Sequence, residues 1–256
     1  IVDFSLGFSD DFDSVHVRIK FMIKIDILNY KIKSLTASQN APILWNKSMC
    51  GIVGFWSPNG KETHNLLERS KSLYHRGPDA EGHKIFAKEN KFIAGLSTQR
   101  LSIVGVDDGD QPVSDPTRRW WVSLNGEIYN YQSLHRECLG NNIQPLNSSD
   151  TAIVAALLGF LPLTKVIERL RGMFALAIYD SKRHEIWLFR DRMGVKPLYW
   201  LQEEDGTIHW ASELRALNNL HSHQINPVAV QQLLCFEYIP APNSIYCDVH
   251  KYVLSD

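Results

Sequence analysis

Cys50 opens the run CGIVGFW, and a cysteine side chain is well suited to attack a carbonyl carbon. The thiolate is the reactive form. At an ordinary thiol pKa of about 8.5 only a small fraction is present at neutral pH, so such a cysteine needs a base. An α-amino group titrates near ~7.7 to 8.0 and can serve as that base when it belongs to the same residue. A peptide nitrogen cannot, because its lone pair is delocalised into the carbonyl. Cys50 follows Ile1 to Met49, so in the chain as written its nitrogen is a peptide nitrogen. The competing reading is a buried cysteine in an apolar core strand, which the string CGIVGF taken alone favours. Attack on a carbonyl also creates an oxyanion, and losing one donor aimed at it costs ~3 to 4 kcal/mol of transition-state stabilisation. Asn125-Gly126 offers a side-chain amide and a backbone N–H left open by the missing Cβ, or else a tight turn after WWVSL.

The elements that must position these groups can be read from the pattern. CGIVGFW is expected to be a short buried strand closed by the turn cluster Ser57-Pro58-Asn59-Gly60. Thr63 to Tyr74 places Leu66, Leu67, Ser70 and Leu73 at helical spacing, with Thr63 as N-cap. KFIAGLST and WWVSLNG read as strands, the second ending at Asn125-Gly126. Glu127 to Leu139 reads as a helix, and Asp150 to Leu158 opens another with Ser149 at its cap. MFALAIYD, EIWLFRD and TIHWAS read as three successive strands between Met173 and Ser212. A last helix runs from Asn226-Pro227 to about Cys235, and Pro240-Ala241-Pro242 reads as a linker. Grouped strands and grouped helices, without βαβ alternation, predict an α+β fold with antiparallel sheets. In residues 1–49, RIKFMIKIDIL (Arg18 to Leu28) alternates like a strand but has no partner in its own segment.

Composition narrows the function classes. The 256 residues carry 27 basic and 28 acidic side chains for a net charge of -1, which argues against nucleic acid or an anionic membrane as partner. Hydrophobic content of 44% and aromatic content of 11% are those of a globular protein with a proper core. Cys50, Cys138, Cys235 and Cys247 form no CxxC pair and suit free thiols in a reducing compartment. His221 and His223 have no evident third ligand, so no metal site is expected there. No run approaches the ~18 apolar residues of a membrane span, and the first residues lack the features of a signal peptide. A cytoplasmic location is the expectation.

MCGIVGFW, YHRGPDAEG, QRLSIVG, SLNGEIYNY, SSDT, LRGMFALAIYD, RDRMGVKPLYW and ASELRAL occur in that order. Any one of these strings is weak evidence. In order, they resemble the class II glutamine amidotransferase domain, in particular that of glutamine-hydrolysing asparagine synthetases. The likeness runs from Met49 to about Leu217, with YIPAPNSIY similar to that family's passage into a synthetase domain. The resemblance implies the N-terminal-nucleophile hydrolase fold, a four-layer sandwich of two antiparallel sheets between helical layers. It implies that Cys50, once Met49 and everything before it are gone, is both nucleophile and base in releasing ammonia from glutamine. Asn125 and Gly126 would bind the oxyanion, Arg100 the glutamine carboxylate, and Asp150, with Glu127 nearby, the ammonium. The plainer readings are a surface ion pair for Arg100 and a helix N-terminal charge for Asp150. His75, Arg76 and Asp79 are expected to shape the pocket rim as supporting residues.

Thr98 and Gly105 stand where the family usually has His and Asp, and Ala152 where it usually has an acidic residue. These departures touch fine geometry more than activity. No Ser-Gly-Gly, GxxxxGK[ST] or GxGxxG occurs in the chain, so no cofactor is expected in it, and ATP and Mg are implied for a synthetase domain outside it. The expected division is an extension at 1–49, either a propeptide or, by preference, upstream sequence with Met49 as the true start. It is followed by the amidotransferase domain at 50–224 and a linker and synthetase start at 225–256. The implied partners are glutamine, a synthetase domain that takes the ammonia, and a second copy in a homodimer. The rival readings are a class II amidotransferase serving another acceptor, and a non-catalytic binding domain with its nucleophile masked.

Overall fold

The computed structural model describes residues 50–61, 65–88, 91–101, 109–220 and 222–253; the reading of residues 1–49 and of Thr63 and Gly105 lies outside them. Its elements in chain order are β1 (Gly51–Lys61), α1 (Leu66–Lys71), β2 (Ala80–Lys88), β3 (Lys91–Arg100), β4 (Val113–Ser114), β5 (Trp120–Ile128), α2 (Tyr131–Gly140) and α3 (Asp150–Leu158). They continue with α4 (Leu163–Arg169), β6 (Gly172–Asp180), β7 (Glu185–Arg190), β8 (Tyr199–Gln202), β9 (Ile208–Ala211), α5 (Pro227–Phe236) and β10 (His250–Lys251). One sheet has the order β10-β8-β9-β1-β3-β2 and the other β4-β5-β6-β7, with antiparallel pairing in both.

Strand alternation sorts the side chains into layers. In β1, Ile52 and Trp56 join Ala94 and Leu96 of β3, Trp210 of β9 and Ala177 and Tyr179 of β6 in a core between the two sheets. Val53 and Phe55 point the other way, onto Leu66 and Leu73 around α1 and Ala216 and Leu217 beyond β9. On the far side of the second sheet, Val122, Leu124, Leu176 and Ile178 meet α2, α3 and α4. The result is four layers, helix, sheet, sheet, helix. Fully burying one such large side chain stabilises by ~1.5 to 3 kcal/mol, against ~1 kcal/mol net for a hydrogen bond, so the side chains decide which way each strand faces.

Helix α3 is buried along its whole length and starts where its sequence says it should. Ser149 is extended and its side chain accepts the Ala152 N–H at 3.1 Å. Gln111 then ties this helix to β5: its Oε1 accepts the Leu124 N–H at 2.7 Å while its Nε2 donates to Thr151 Oγ1 at 3.0 Å. Those contacts lie next to Asn125 and Asp150 respectively.

The structure differs from the sequence reading at several boundaries. Ser57-Pro58-Asn59-Gly60 does not turn the chain; β1 runs through it to Lys61, with a shift of register between Trp56 and Lys61. Pro58 has no N–H to give to a ladder, and pairing with β3 lapses there: five steps of β1 from Trp56 to Lys61 pass only two of β3, with Gly60 at φ +64°. Helix α1 starts after Asn65 and ends at Lys71, inside the wider span expected from Thr63 to Tyr74. Asn125-Gly126 is not a turn either. Strand β5 continues to Ile128, opposite Gly172 of β6, so Glu127 is a strand residue and α2 begins only at Tyr131. Strands β2, β4, β8 and β10 and helix α4 were not foreseen: they are short or charged and lack a clear period of their own. After the Pro240-Ala241-Pro242 stretch, Lys251 N–H donates to the Pro242 carbonyl at 2.8 Å and Tyr252 enters the inter-sheet core.

Gly126 is demanded by this pairing. Its φ is +141° and a Cβ there would lie 2.0 Å from the Met173 carbonyl oxygen. Gly126→Ala is therefore expected to destabilise the fold by about 3 kcal/mol, through backbone strain and overpacking. Urea unfolding at equilibrium checks this; a loss below ~1 kcal/mol would mean that β5 and β6 part easily at this point.

Candidate active site

The same alternation brings the chemically able residues to one place. Cys50 lies two residues before Ile52 and so projects toward the space between the sheets. Arg100 falls on that side by parity with Ala94 and Leu96 of β3. In β5, Val122 and Leu124 pack under the helices, which turns Asn125 and Glu127 toward the first sheet. Gly51 pairs with Gln99 and Val53 with Ala211, so the start of β1, the end of β3 and the end of β9 lie together. Cys50 is 7%, Arg100 5%, Asn125 0% and Asp150 6% exposed, so charges here act in a low effective dielectric.

The Leu101 N–H donates to Cys50 Sγ at 3.3 Å, and the thiol donates to the Leu101 carbonyl at 3.5 Å. Arg76 Nε donates to the carbonyl of Cys50 at 3.2 Å and Arg76 Nη1 to Glu213 Oε1 at 2.8 Å, with His75 Nε2 3.0 Å from the same oxygen. The Asp79 N–H donates to the Arg100 carbonyl at 3.0 Å. Of the three rim residues, Arg76 thus touches the backbone of Cys50 itself. Asn125 Nδ2 donates to Ser212 Oγ at 3.2 Å, while Asn125 Oδ1 is buried and has no hydrogen-bond partner among the described residues.

Asp150 is the first residue of α3, and both of its oxygens accept backbone N–H groups, Oδ2 from Ile128 at 2.9 Å and Oδ1 from Thr151 at 2.8 Å. It holds the end of β5 to the start of the helix, and its charge is felt at Cys50. Burial pushes the Asp150 carboxyl above its usual range, helped by the charge of Glu127 and opposed by those N–H donors. Burial likewise pushes the Cys50 thiol up; the Leu101 N–H and the charge of Arg100 oppose this, and Asp150 adds to it.

Arg100, by favouring the thiolate, sets the sign of a test. Iodoacetamide labelling of Cys50 in the full chain should reach half its plateau rate above pH ~8.5, the ordinary thiol value. Arg100→Ala should move that midpoint higher still, because a cation that stabilises the thiolate is gone. Labelling rates of the Cys50 peptide followed by mass spectrometry against pH decide it. A midpoint that falls in the variant contradicts the assignment of Arg100 beside the thiol.

Lys196 belongs to this neighbourhood and was not foreseen. It is buried, and burial together with Arg76 lowers its ammonium pKa, against Asp191, Cys50 and Glu127. Asp191 shapes the loop that delivers it, accepting N–H groups from Phe174, Met193, Val195 and Lys196 at 2.9–3.2 Å. Ser212 and Glu213 were also passed over. The signal for Ser212 was present in the run TIHWAS, where it shares the parity of Ile208 and Trp210, but parity alone names no partner. An open hollow of about 390 Å³ lies against Ser212 and Glu213, walled by Pro197, Tyr199, Arg215 and Tyr246. Among the described residues no group of three or more His, Cys, Asp or Glu is placed to hold a metal ion, and no helix is long and apolar enough to cross a membrane.

Known proteins share this fold. Two solved structures match across 66% of this chain and 43% of their own: a glutamine phosphoribosylpyrophosphate (PRPP) amidotransferase from B. subtilis complexed with ADP and GMP, and an allosteric regulatory enzyme of purine biosynthesis. Their TM-scores are 0.55 and 0.53 at 19% and 18% identity, a likeness of fold, the N-terminal-nucleophile hydrolase sandwich. In sequence, asparagine synthetase [glutamine-hydrolyzing] 1 of Bacillus subtilis (strain 168) is 32% identical over 209 residues, 79% of this chain and 32% of its own length. Asparagine synthetase B [glutamine-hydrolyzing] of Escherichia coli (strain K12) is 37% identical over 172 residues, 66% of this chain and 30% of its own. The chain therefore spans about a third of the length of these curated relatives. A family model described as a glutamine amidotransferase domain matches residues 49–255, starting one residue before Cys50. With that match over most of its length, on a fold that gathers Cys50, Arg100, Asn125 and Asp150, the chain belongs to the glutamine amidotransferase domain family.

Proposed function

We propose that this chain is a glutaminase unit that releases ammonia from glutamine, with Cys50 as the nucleophile. The observation that carries the reading is the clustering of a buried thiol, a buried amide and a buried arginine at one end of the inter-sheet space, in a domain whose family match begins at Met49. In this account the Cys50 amine, once free, takes the thiol proton and Sγ adds to the glutamine side-chain carbonyl carbon. Asn125 Nδ2 and the Gly126 N–H meet the oxyanion. The C–N bond breaks, ammonia leaves with a proton returned through the amine, and a γ-glutamyl thioester remains, which water hydrolyses to glutamate. Arg100 holds the substrate carboxylate, and Asp150 with Glu127 its ammonium. For Asp150 this would be a second task beside the two N–H groups it already accepts.

We further propose that the ammonia serves asparagine formation, as the names of the relatives indicate for them. ATP and Mg would then act in a synthetase domain that takes the ammonia, and this chain's residues would supply only the ammonia. A soluble, cytoplasmic setting and a homodimer fit this reading.

Variants separate the roles. Asn125→Ala is expected to lower kcat by roughly 10²-fold or more with little change in KM, as for a donor used in the transition state. Arg100→Ala should chiefly raise KM, since the carboxylate is held alike in ground and transition states. Steady-state glutaminase kinetics check both, and purely KM effects from the two changes alike would contradict the division. A glutamine-analogue diazoketone tests the reading as a whole: a competent Cys50 is alkylated, whereas a domain that only binds glutamine is not.

A further inference from the structure

The string ASELRAL runs off the end of β9, and the reaction described above gives it no task. Its serine stands at a junction. The Ser212 N–H donates to the Ile52 carbonyl at 2.9 Å, and Ser212 Oγ accepts the Ile52 N–H at 3.0 Å. One residue thus satisfies both backbone groups of Ile52, two positions beyond the nucleophile. The same Oγ accepts Asn125 Nδ2 from the opposite sheet at 3.2 Å. Ser212 and Asn125 are both fully buried.

An amide nitrogen carries two hydrogens, and a terminal amide torsion is otherwise broad. With one hydrogen directed at Ser212, the direction of the other is set. Packing between the sheets fixes their spacing but not the rotation of this amide, and among the described residues Asn125 Oδ1 has no hydrogen bond to do so. Glu213, the next residue, braces the same segment from the other side through Arg76, which donates to the Cys50 carbonyl.

We propose that Ser212 is a positioning residue for glutamine hydrolysis, its hydroxyl oxygen aiming Asn125 Nδ2 and fixing that donor relative to the strand that begins at Cys50. The role rests on the glutaminase reading of Cys50 and Asn125. Ser212 touches neither the substrate nor the reacting atoms; it acts through the amide it orients and through Ile52.

The test is a double-mutant cycle on the processed protein, with Cys50 shown by mass spectrometry to be its amino terminus. Turnover is expressed per site titrated with the diazoketone, so that misfolded protein does not count. Ser212→Ala is expected to lower kcat about 10-fold with KM within ~3-fold of wild type, because a misaimed donor weakens the transition state only. In an Asn125→Ala background the same change should cost less than ~3-fold, since the donor to be aimed is gone. Ser212→Cys keeps the volume with a weaker acceptor and should fall between, which preserves the test if the alanine variant folds poorly. An equal loss in the two backgrounds overturns the proposal, as does a Ser212→Ala protein with wild-type kcat per titrated site. A processed wild type that neither hydrolyses glutamine nor takes up the diazoketone overturns the glutaminase reading itself, and that result appears before any Ser212 variant is made.

Discussion

Cys50→Ala is expected to abolish ammonia release from glutamine, lowering kcat by roughly 10⁴-fold or more, on the scale seen when a catalytic nucleophile is removed. Binding should survive. The substrate's charged end is assigned to Arg100, Asp150 and Glu127, and the alanine leaves these in place. Among the described residues the thiol makes two long hydrogen bonds, both with Leu101, and replacing it opens a small gap beside β3 without unpairing Gly51 from Gln99. Ammonia release and calorimetric titration of glutamine, run together on the variant, check the two halves. Substantial turnover in the alanine protein would remove Cys50 from the mechanism. Loss of both turnover and binding would point instead to a structural role for the buried thiol.

The second large effect concerns the nitrogen of the same residue. With Met49 attached, that nitrogen is an amide and offers no lone pair to the thiol. The thiol is also pushed up by burial, so it is scarcely ionised at neutral pH without a base. A chain that retains residues 1–49 should therefore show no glutaminase activity above background, whereas one begun at Cys50 should turn over. An α-amine titrating near ~7.7 to 8.0 then makes kcat/KM rise through that pH range, because only the deprotonated amine accepts the thiol proton. The measurement is glutaminase activity and amino-terminal sequence on the same samples, across pH. Full activity in a chain whose Ile1 is still attached would sink the amine as base.

Much of the site could be read from the sequence because strand alternation is a local property. Cys50 and Ile52, Leu96 and Arg100, Leu124 and Asn125 each declare a face within a few residues, and those faces are the ones observed. The cap of α3 was equally local, set by Ser149 and the N–H groups that follow it. Partner choice was not local. Nothing in WWVSLNGEI says that β6 runs alongside as far as Gly172, and it is this neighbour that keeps Asn125-Gly126 extended in place of turning. Likewise β9 follows β6 and β7 in sequence yet joins the other sheet beside β1. That crossing brings Ser212 onto Ile52 and Asn125, and the loop organised by Asp191 brings Lys196 toward Cys50. Hydrogen bonds between residues separated by 87 or 160 positions leave no periodic trace in the sequence. The chain alone determined which residues could do the chemistry and which way each would point. The pairing of the sheets decided which of them meet, because a strand's ladder partner is selected by packing across the whole fold and not by its own residues.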